Sequence, residues 1–332
     1  MALYLPILKT AWRTALHERR LWGFALFAGF LIGSGFGTAV IQVSGTDPAQ
    51  EFLPGILNIH VGLLSRISPL WAQAVATGPG ATAALAAYGV ILLAILLAIL
   101  WIAVVGGNAL MLAAERRARA AAIPRDLRLR AQERLWPTLA IHGIAKVLTA
   151  ALLAAWGAVL TVSAFATTPF ATARGIVAFI VTALLLTTIH IVTPYAIANV
   201  LLDRRRIAPA IREAFVLLRD RWLISVEASL LLSAVNVLGI IAWIGGSALI
   251  ALPFLFLGGI AIANHASALL TATVAVGITA LIVYLALVAM AFTTFLTTAW
   301  TLLYLRLTDE GEEPVPWLHR AFSRKPQASR SK

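Results

Sequence analysis

Residues 228–305 contain no lysine, arginine, aspartate or glutamate, a charge-free run of 78 residues. A soluble domain cannot accommodate such a run, because about a quarter of its residues are normally charged. Across the chain, only 12% of the 332 residues are charged and 61% are hydrophobic, with a mean hydropathy of +0.90. The sequence therefore predicts a polytopic membrane protein.

The lengths of the uncharged stretches predict how often the chain crosses the membrane. A helix rises about 1.5 Å per residue and needs about 20 apolar residues to cross the hydrocarbon. The predicted spans cover residues 21–43, 82–105, 145–167, 175–201, 222–256 and 275–305. The expected fold class is all-α, a polytopic membrane helical bundle of six transmembrane helices arranged as three hairpins. Residues 1–308 form this single domain, and residues 309–332 form a mostly disordered cytoplasmic tail.

The run 228–305 is too short for four spans and longer than two spans require. Glycines and a proline lie in the surplus, at Gly245, Gly246, Pro253, Gly258 and Gly259. Because these residues break helices, they indicate a kinked or partly re-entrant continuation of the fifth helix.

The basic residues predict the orientation of the chain. There are 26 lysines and arginines against 14 aspartates and glutamates, a net charge of +12. In a soluble protein this excess would point to nucleic acid. Here 24 of the 26 basic residues lie in four segments of the chain. With an even number of spans, all four segments lie on the same side of the membrane. Since short cytoplasmic segments collect lysine and arginine, the pattern predicts a bacterial plasma (inner) membrane protein with both termini cytoplasmic and no nucleic-acid partner.

The segments before the odd-numbered spans resemble one another. Residues 6–12 and 209–215 share a proline, a basic fourth residue, an alanine at the sixth place and an aromatic at the seventh, and residues 128–136 are a third basic stretch ending in tryptophan. They predict basic amphipathic interfacial helices before spans 1, 3 and 5. Contacts with anionic lipid headgroups are expected from Arg19, Arg20, Arg116, Arg117, Arg119, Arg204, Arg205 and Arg206.

Small residues recur every four positions in the first span, at Ala25, Gly29, Gly33 and Gly37. This glycine zipper lets another helix approach at backbone distance, and the partner is a helix of this chain or of a second copy, the former being favoured. In the following outer loop, residues 52–64 are too apolar for a solvated loop and predict an amphipathic helix on the outer leaflet.

Polar residues within spans mark candidate functional positions, because they are costly in lipid. The candidates are Glu227, His190, Asn236 and Asn199. Facing each other, Glu227 and His190 would form a proton relay or a cation-coupling site. The favoured interpretation is structural: Glu227 reaches the interface or pairs with a nearby arginine, and the histidine and asparagines bond between helices. A threonine stripe on the sixth span, Thr293, Thr297 and Thr301, has the same two interpretations.

Catalytic signatures are missing from the sequence. It has no Walker A loop, no H-E-x-x-H, no G-x-S-x-G and no cysteine, so no cofactor and no catalytic or metal site is expected. The first hypothesis is a non-enzymatic membrane protein with a scaffolding, envelope-organising or lipid-interacting role. Its partners are membrane lipids, and also a protein partner or a second copy. The alternative is a permease or transporter subunit, working with a separate ATPase, in which Glu227 or His190 lines a water-accessible cavity between spans 4, 5 and 6.

Four short motifs carry a resemblance to a known group of proteins. They are Leu21-Trp22 after a basic helix, Pro194-Tyr195, Ala210-Ile-Arg-Glu-Ala-Phe215 and Leu303-Tyr-Leu-Arg-Leu-Thr-Asp-Glu-Gly311. In this respect the chain resembles the bacterial membrane proteins grouped around the membrane domain of glycerophosphoryl diester phosphodiesterase and the YciC-like proteins. Leu305 stands where that group commonly has an aspartate. The resemblance implies a six-span fold and no reaction, because no phosphodiesterase catalytic domain is expected here.

Overall fold

The computed structural model describes residues 4–32, 72–73, 75–124, 126–164 and 169–309. Throughout these residues the regular structure is helical and no strand occurs, which confirms the predicted all-α class for this part of the chain. The helices are α1 (Tyr4–His17), α2 (Trp22–Ile32), α3 (Pro79–Ala118), α4 (Leu127–Glu133), α5 (Leu135–Ala164), α6 (Pro169–Leu201), α7 (Ile207–Asp220), α8 (Trp222–Ala263) and α9 (Ser267–Thr308), with a 3-10 turn, Arg19–Leu21, between α1 and α2.

Five of the described helices are long and apolar enough to cross a membrane: α3, α5, α6, α8 and α9. The first predicted span, residues 21–43, begins with α2, and its part beyond Ile32 lies outside the described residues. The same is true of the outer-leaflet helix predicted at residues 52–64, of residues 165–167 of the third span and of the tail after Asp309.

The longest helices exceed one bilayer crossing. α8 and α9 have 42 residues each, which at about 1.5 Å per residue is about twice the thickness of the hydrocarbon. α8 passes Gly245, Gly246 and Pro253 as a single helix up to Ala263, where the sequence had indicated a kinked or partly re-entrant path. α9 then begins at Ser267, eight residues before the predicted start of the sixth span.

The long helices pack in pairs, α2 with α3, α5 with α6 and α8 with α9. Glycines of one helix meet aromatic rings of the other: a Cβ at Gly246 would collide with the Tyr284 side chain, and one at Gly239 with Phe292. The Tyr284 hydroxyl also donates a hydrogen bond to the Ala242 carbonyl at 2.6 Å. Gly246 is therefore a contact site between helices rather than a break in α8.

Three short helices, α1, α4 and α7, lie together at one end of the bundle, which we call the charged end. α1 packs on α9, α4 on α3 and α7 on α6. Each buries an alanine completely, at Ala11, Ala131 and Ala210. Small side chains on the inner face let these helices lie close against the long ones, while their arginines stay on the outer face, as expected of amphipathic helices.

The core of the described structure is concentrated near the charged end. One apolar cluster joins α1, α6, α7, α8 and α9, and a second joins α2, α3 and α4. Farther along the helices, the buried residues of the described part lie where α8 and α9 touch, at Gly239, Gly258, Ala261 and Thr273. Large apolar side chains such as Leu249 and Leu255 are 71% exposed there. This is the surface that a bilayer covers.

Small residues bring α2 close to two neighbours. Ala25 is fully buried, and a Cβ added to Gly29 would lie 3.0 Å from the Thr293 hydroxyl of α9. On the other side, Gly106 of α3 faces the Phe24 carbonyl so closely that a Cβ there would collide with it. The remaining zipper positions, Gly33 and Gly37, lie outside the described residues.

Candidate functional site

A partly open cavity of about 380 Å³ lies between α3, α5, α6 and α9, with one residue from α2. Its size falls in the range of small-molecule sites. The lining residues are Ala28, Ala103, Gly107, Asn108, Met111, His142, Ala145, Lys146, Thr149, Leu186, Ile189, His190, Thr193, Pro194, Ile197, Leu296, Thr297 and Trp300.

Four polar residues of the lining lie at a similar level of the bundle. Asn108, Lys146, His190 and Thr297 each lie 10 or 11 residues from the charged-end terminus of their own helix. At about 1.5 Å per residue, this places them about 16 Å from that end of their helices. The cavity thus gathers polar groups from four helices at one level of the bundle.

One face of α5 supplies the basic groups. His142, Lys146 and Thr149 follow each other at intervals of four and three residues, so their side chains lie one above the other on the cavity side. No aspartate or glutamate is among the described residues that line the cavity. Among the described lining residues Lys146 is therefore the one charged group, and its charge suits an acidic ligand. Sequence analysis had counted Lys146 with the cytoplasmic charges, because it is the last base of a basic segment.

Thr297 contributes a hydroxyl without a partner. Its side chain is 4% exposed, and among the described residues its Oγ1 atom makes no hydrogen bond. The neighbouring Thr294 and Thr301 donate to carbonyls of their own helix, at 2.8 Å in both cases. A buried polar atom without a partner is uncommon, so the Thr297 hydroxyl is available to a molecule in the cavity.

Aromatic rings stiffen one wall of the cavity. The His190 ring meets Trp300 edge to face, with 5.8 Å between centroids, and Tyr195 meets the same indole at 5.9 Å. The Tyr195 hydroxyl, which is fully buried, donates to Ser225 Oγ of α8 at 3.1 Å. Edge-to-face packing fixes ring orientation, and thus Trp300 and His190 present a defined surface to the cavity.

Glu227 lies elsewhere. Its Oε2 atom accepts a hydrogen bond of 2.7 Å from the Tyr4 hydroxyl of α1, and it is not among the residues lining the cavity. The structure thus does not bring Glu227 and His190 together. Burial, followed by the hydrogen bond to the Glu227 carboxylate, raises the pKa of Tyr4 well above its usual range.

The two asparagines proposed from the sequence have different surroundings. Asn199 is buried; its Nδ2 donates to the Ala210 carbonyl at 3.0 Å, and its Oδ1 lies 2.6 Å from the Tyr304 hydroxyl. The same hydroxyl lies 2.6 Å from Asp203 Oδ2. Asn236, by contrast, is exposed on α8.

The arginines predicted to contact lipid headgroups divide into three groups. Arg117 pairs with Glu18, Arg119 with Glu115 at 3.1 Å and Arg205 with Glu213 at 2.6 Å. Two others, Arg116 and Arg204, line a second pocket at the charged end. The remaining three, Arg19, Arg20 and Arg206, are exposed.

Sequence reasoning missed three lining residues that matter for the chemistry, His142, Lys146 and Asn108. The available signal was the spacing of four between His142 and Lys146 on an otherwise apolar helix face. Among the described residues there is no group of three or more His, Asp or Glu side chains that could hold a metal ion. The residues of the cavity are suited to binding an anion inside an apolar pocket.

The chain matches no known family model, no curated protein and no solved structure. Its function is therefore inferred from the geometry of the site.

Proposed function

We propose that this protein is a non-enzymatic, lipid-interacting protein of the bacterial inner membrane that binds the acidic headgroup of an amphiphile in its cavity. The observation that carries the proposal is Lys146 in a cavity wall without any described carboxylate. An ammonium group among apolar side chains at the start of a predicted span is stabilised when an anion or hydrogen-bond acceptors compensate its charge.

A headgroup such as a carboxylate or phosphate supplies that compensation. His142 lies one helical turn from Lys146 and adds a ring nitrogen, and the Thr297 hydroxyl adds a further polar contact. The rest of the lining is largely apolar, with Leu186, Ile189 and other aliphatic side chains, and suits the start of an acyl chain. The cavity thus offers polar contacts to the acidic headgroup and apolar contacts to the acyl chain of such an amphiphile.

Binding of three amphiphiles with the same dodecyl chain tests the proposal. Dodecyl phosphate, dodecanoate and dodecyltrimethylammonium are titrated by calorimetry into the protein in a neutral maltoside detergent. We expect the two anions to bind and the cation not to bind. Lys146→Gln removes the charge and is expected to weaken anion binding about tenfold, as for a hydrogen bond to a charged group.

Lys9→Gln is the matched control, because Lys9 is exposed on α1 and away from the cavity lining. It should leave binding unchanged. Equal weakening by both substitutions, or equal binding of the cationic amphiphile, would refute the proposed site.

The alternative function, a permease or transporter subunit, is favoured by the same cavity. A cavity between long apolar helices is what transport requires, and His190 lines it. It lies between α3, α5, α6 and α9, however, and Glu227 is outside it. Flux of a bound anion across proteoliposomes, abolished by Lys146→Gln, would establish transport; binding without flux would leave the lipid-interacting role.

We further propose six spans arranged as three hairpins with both termini cytoplasmic. The pairing of α2 with α3, α5 with α6 and α8 with α9 supports the hairpins, and the position of α1, α4 and α7 at one end agrees with the positive-inside rule. A reporter fused after Gly311 should be active only in the cytoplasm; periplasmic activity would overturn this topology. The six-span layout is also what the resemblance to the phosphodiesterase membrane-domain group implies.

A further inference from the structure

A second, smaller pocket of about 160 Å³ lies at the charged end. We call it the arginine pocket. It is formed by the last turns of α3, by α4 and the residue after it, and by the segment that follows α6. Its lining residues are Leu112, Glu115, Arg116, Pro124, Leu127, Arg130, Glu133, Arg134, Leu201, Leu202 and Arg204.

Several of these charges are already paired. Glu115 binds Arg119 at 3.1 Å. Arg130 donates to Asp126 at 2.9 Å, and this bond holds the pKa of that carboxyl below its usual range. Arg116, Arg134 and Arg204 form no ion pair with any described residue. With Glu133 as the remaining acid, the lining has two positive charges in excess.

The backbone brings one of these arginines into an unusual conformation. Arg204 has a φ of +56°, in the left-handed region that L-residues with a side chain rarely adopt. The amide of the next residue, Arg205, donates to the Asn199 carbonyl at 3.1 Å. Asn199 is itself held by Ala210 and Tyr304, so the turn carrying Arg204 is anchored to the buried core.

We propose that the arginine pocket binds a phosphate group, carried by a lipid headgroup or by a free phosphate ion. Three arginines from three segments line it, and the planar donor forks of guanidinium groups match the oxygens of phosphate. Two excess positive charges neutralise a phosphate dianion. The leucines of the lining suit the glycerol and first methylenes of a lipid. This site is separate from the cavity and its binding does not depend on Lys146.

The test uses the full chain in a neutral maltoside detergent with three probes: inorganic phosphate, dihexanoyl phosphatidic acid and dihexanoyl phosphatidylcholine. Affinities are measured by calorimetry for the wild type and for Arg116→Gln, Arg134→Gln and Arg204→Gln. We expect each substitution to weaken phosphatidate binding about tenfold, because each removes a charged hydrogen-bond donor. Comparable affinity for inorganic phosphate identifies a free-ion site, whereas binding of phosphatidate alone identifies a headgroup site.

Glu133→Gln is the complementary variant, because it removes the remaining acid and keeps all arginines. It should strengthen phosphatidate binding about fivefold, because it removes one negative charge from the pocket. If an arginine variant does not fold, Glu133→Gln still tests whether the arginine pocket binds a phosphate group.

Two controls separate this site from other cationic surfaces. Arg219→Gln changes an arginine whose side chain is 80% exposed on α7, away from the pocket, and Lys146→Gln changes the cavity. Both should bind phosphatidate like the wild type. Equal weakening by Arg134→Gln and Arg219→Gln, no gain from Glu133→Gln, or no binding of either anionic probe by the wild type would overturn the proposal.

Discussion

Asn108 and Asn199 make the same contact in two different helix pairs. The Asn108 amide donates to the Ala131 carbonyl of α4, and the Asn199 amide donates to the Ala210 carbonyl of α7, both at 3.0 Å. Each asparagine lies near the charged end of the second helix of its pair and binds the short helix that follows. These buried amides fix α4 and α7 against the long helices that line the cavity and the arginine pocket.

Asn199→Ala should destabilise the protein. It removes the bond that the Ala210 carbonyl accepts from α6 and one neighbour of the Tyr304 hydroxyl, a loss of about 1–3 kcal/mol for buried polar groups. Thermal unfolding in detergent measures the effect. Asn236→Ala is the control, because Asn236 is exposed on α8, and its unfolding temperature should match that of the wild type. Similar losses in both variants would refute the role of Asn199 as an anchor.

Gly246→Ala should loosen the contact between α8 and α9. The added methyl collides with the Tyr284 side chain, and overpacking of this kind costs about 1–3 kcal/mol. The neighbouring Gly245 has nothing within 4 Å of an added Cβ, so Gly245→Ala should be neutral or slightly stabilising. Melting temperatures of the two variants give a direct comparison. A helix break at this position, as the sequence suggested, would make both substitutions act alike.

Ala120→Gly should stabilise the turn after α3. Ala120 has a φ of +53°, and the next amide, of Ala121, donates to the Arg116 carbonyl at 2.8 Å. This is a helix end closed by a left-handed residue, for which glycine is preferred and alanine costs about 1–2 kcal/mol. Ala121→Gly is the control, because Ala121 has no positive φ, and it should stabilise nothing. Chemical denaturation in mixed micelles measures the free energy of unfolding of each variant relative to the wild type.

Tyr4→Phe should alter stability in a pH-dependent way. Burial and the bond to Glu227 raise the pKa of Tyr4, so the protonated phenol is favoured in the folded state. Its contribution is complete below the unfolded pKa of about 10 and is lost as the pH rises toward the folded pKa. The wild type should exceed Tyr4→Phe by about 1–2 kcal/mol at pH 7, and the difference should shrink above about pH 10. Parallel unfolding curves of the two proteins from pH 7 to 11 would contradict this.

Local patterns predicted the parts of the fold that depend on one segment at a time. Charge-free runs predicted the five described helices that are long and apolar enough to cross a membrane, and the basic stretches predicted the short helices α1, α4 and α7. The turn near Asn264 falls between the predicted spans 222–256 and 275–305, but the helices on either side of it are longer than predicted, because glycines and a proline in α8 were interpreted as helix breaks. In the structure, the Tyr284 side chain of α9 fills the space beside Gly246. This contact joins residues of two helices, and no local sequence pattern predicts it.

The sequence by itself determined that this protein crosses a membrane as helices. In hydrocarbon, every crossing segment must satisfy its own backbone hydrogen bonds, and a helix does so. The sequence shows such segments by their length and their apolar composition. Only the tertiary structure decided which polar groups meet. Lys146 and His142 share a cavity with Thr297, which lies 151 residues beyond Lys146, whereas Glu227 bonds to Tyr4 at the start of the chain. These side-chain contacts depend on the rotation and pairing of whole helices. The packing of small residues against large ones determines that rotation and pairing.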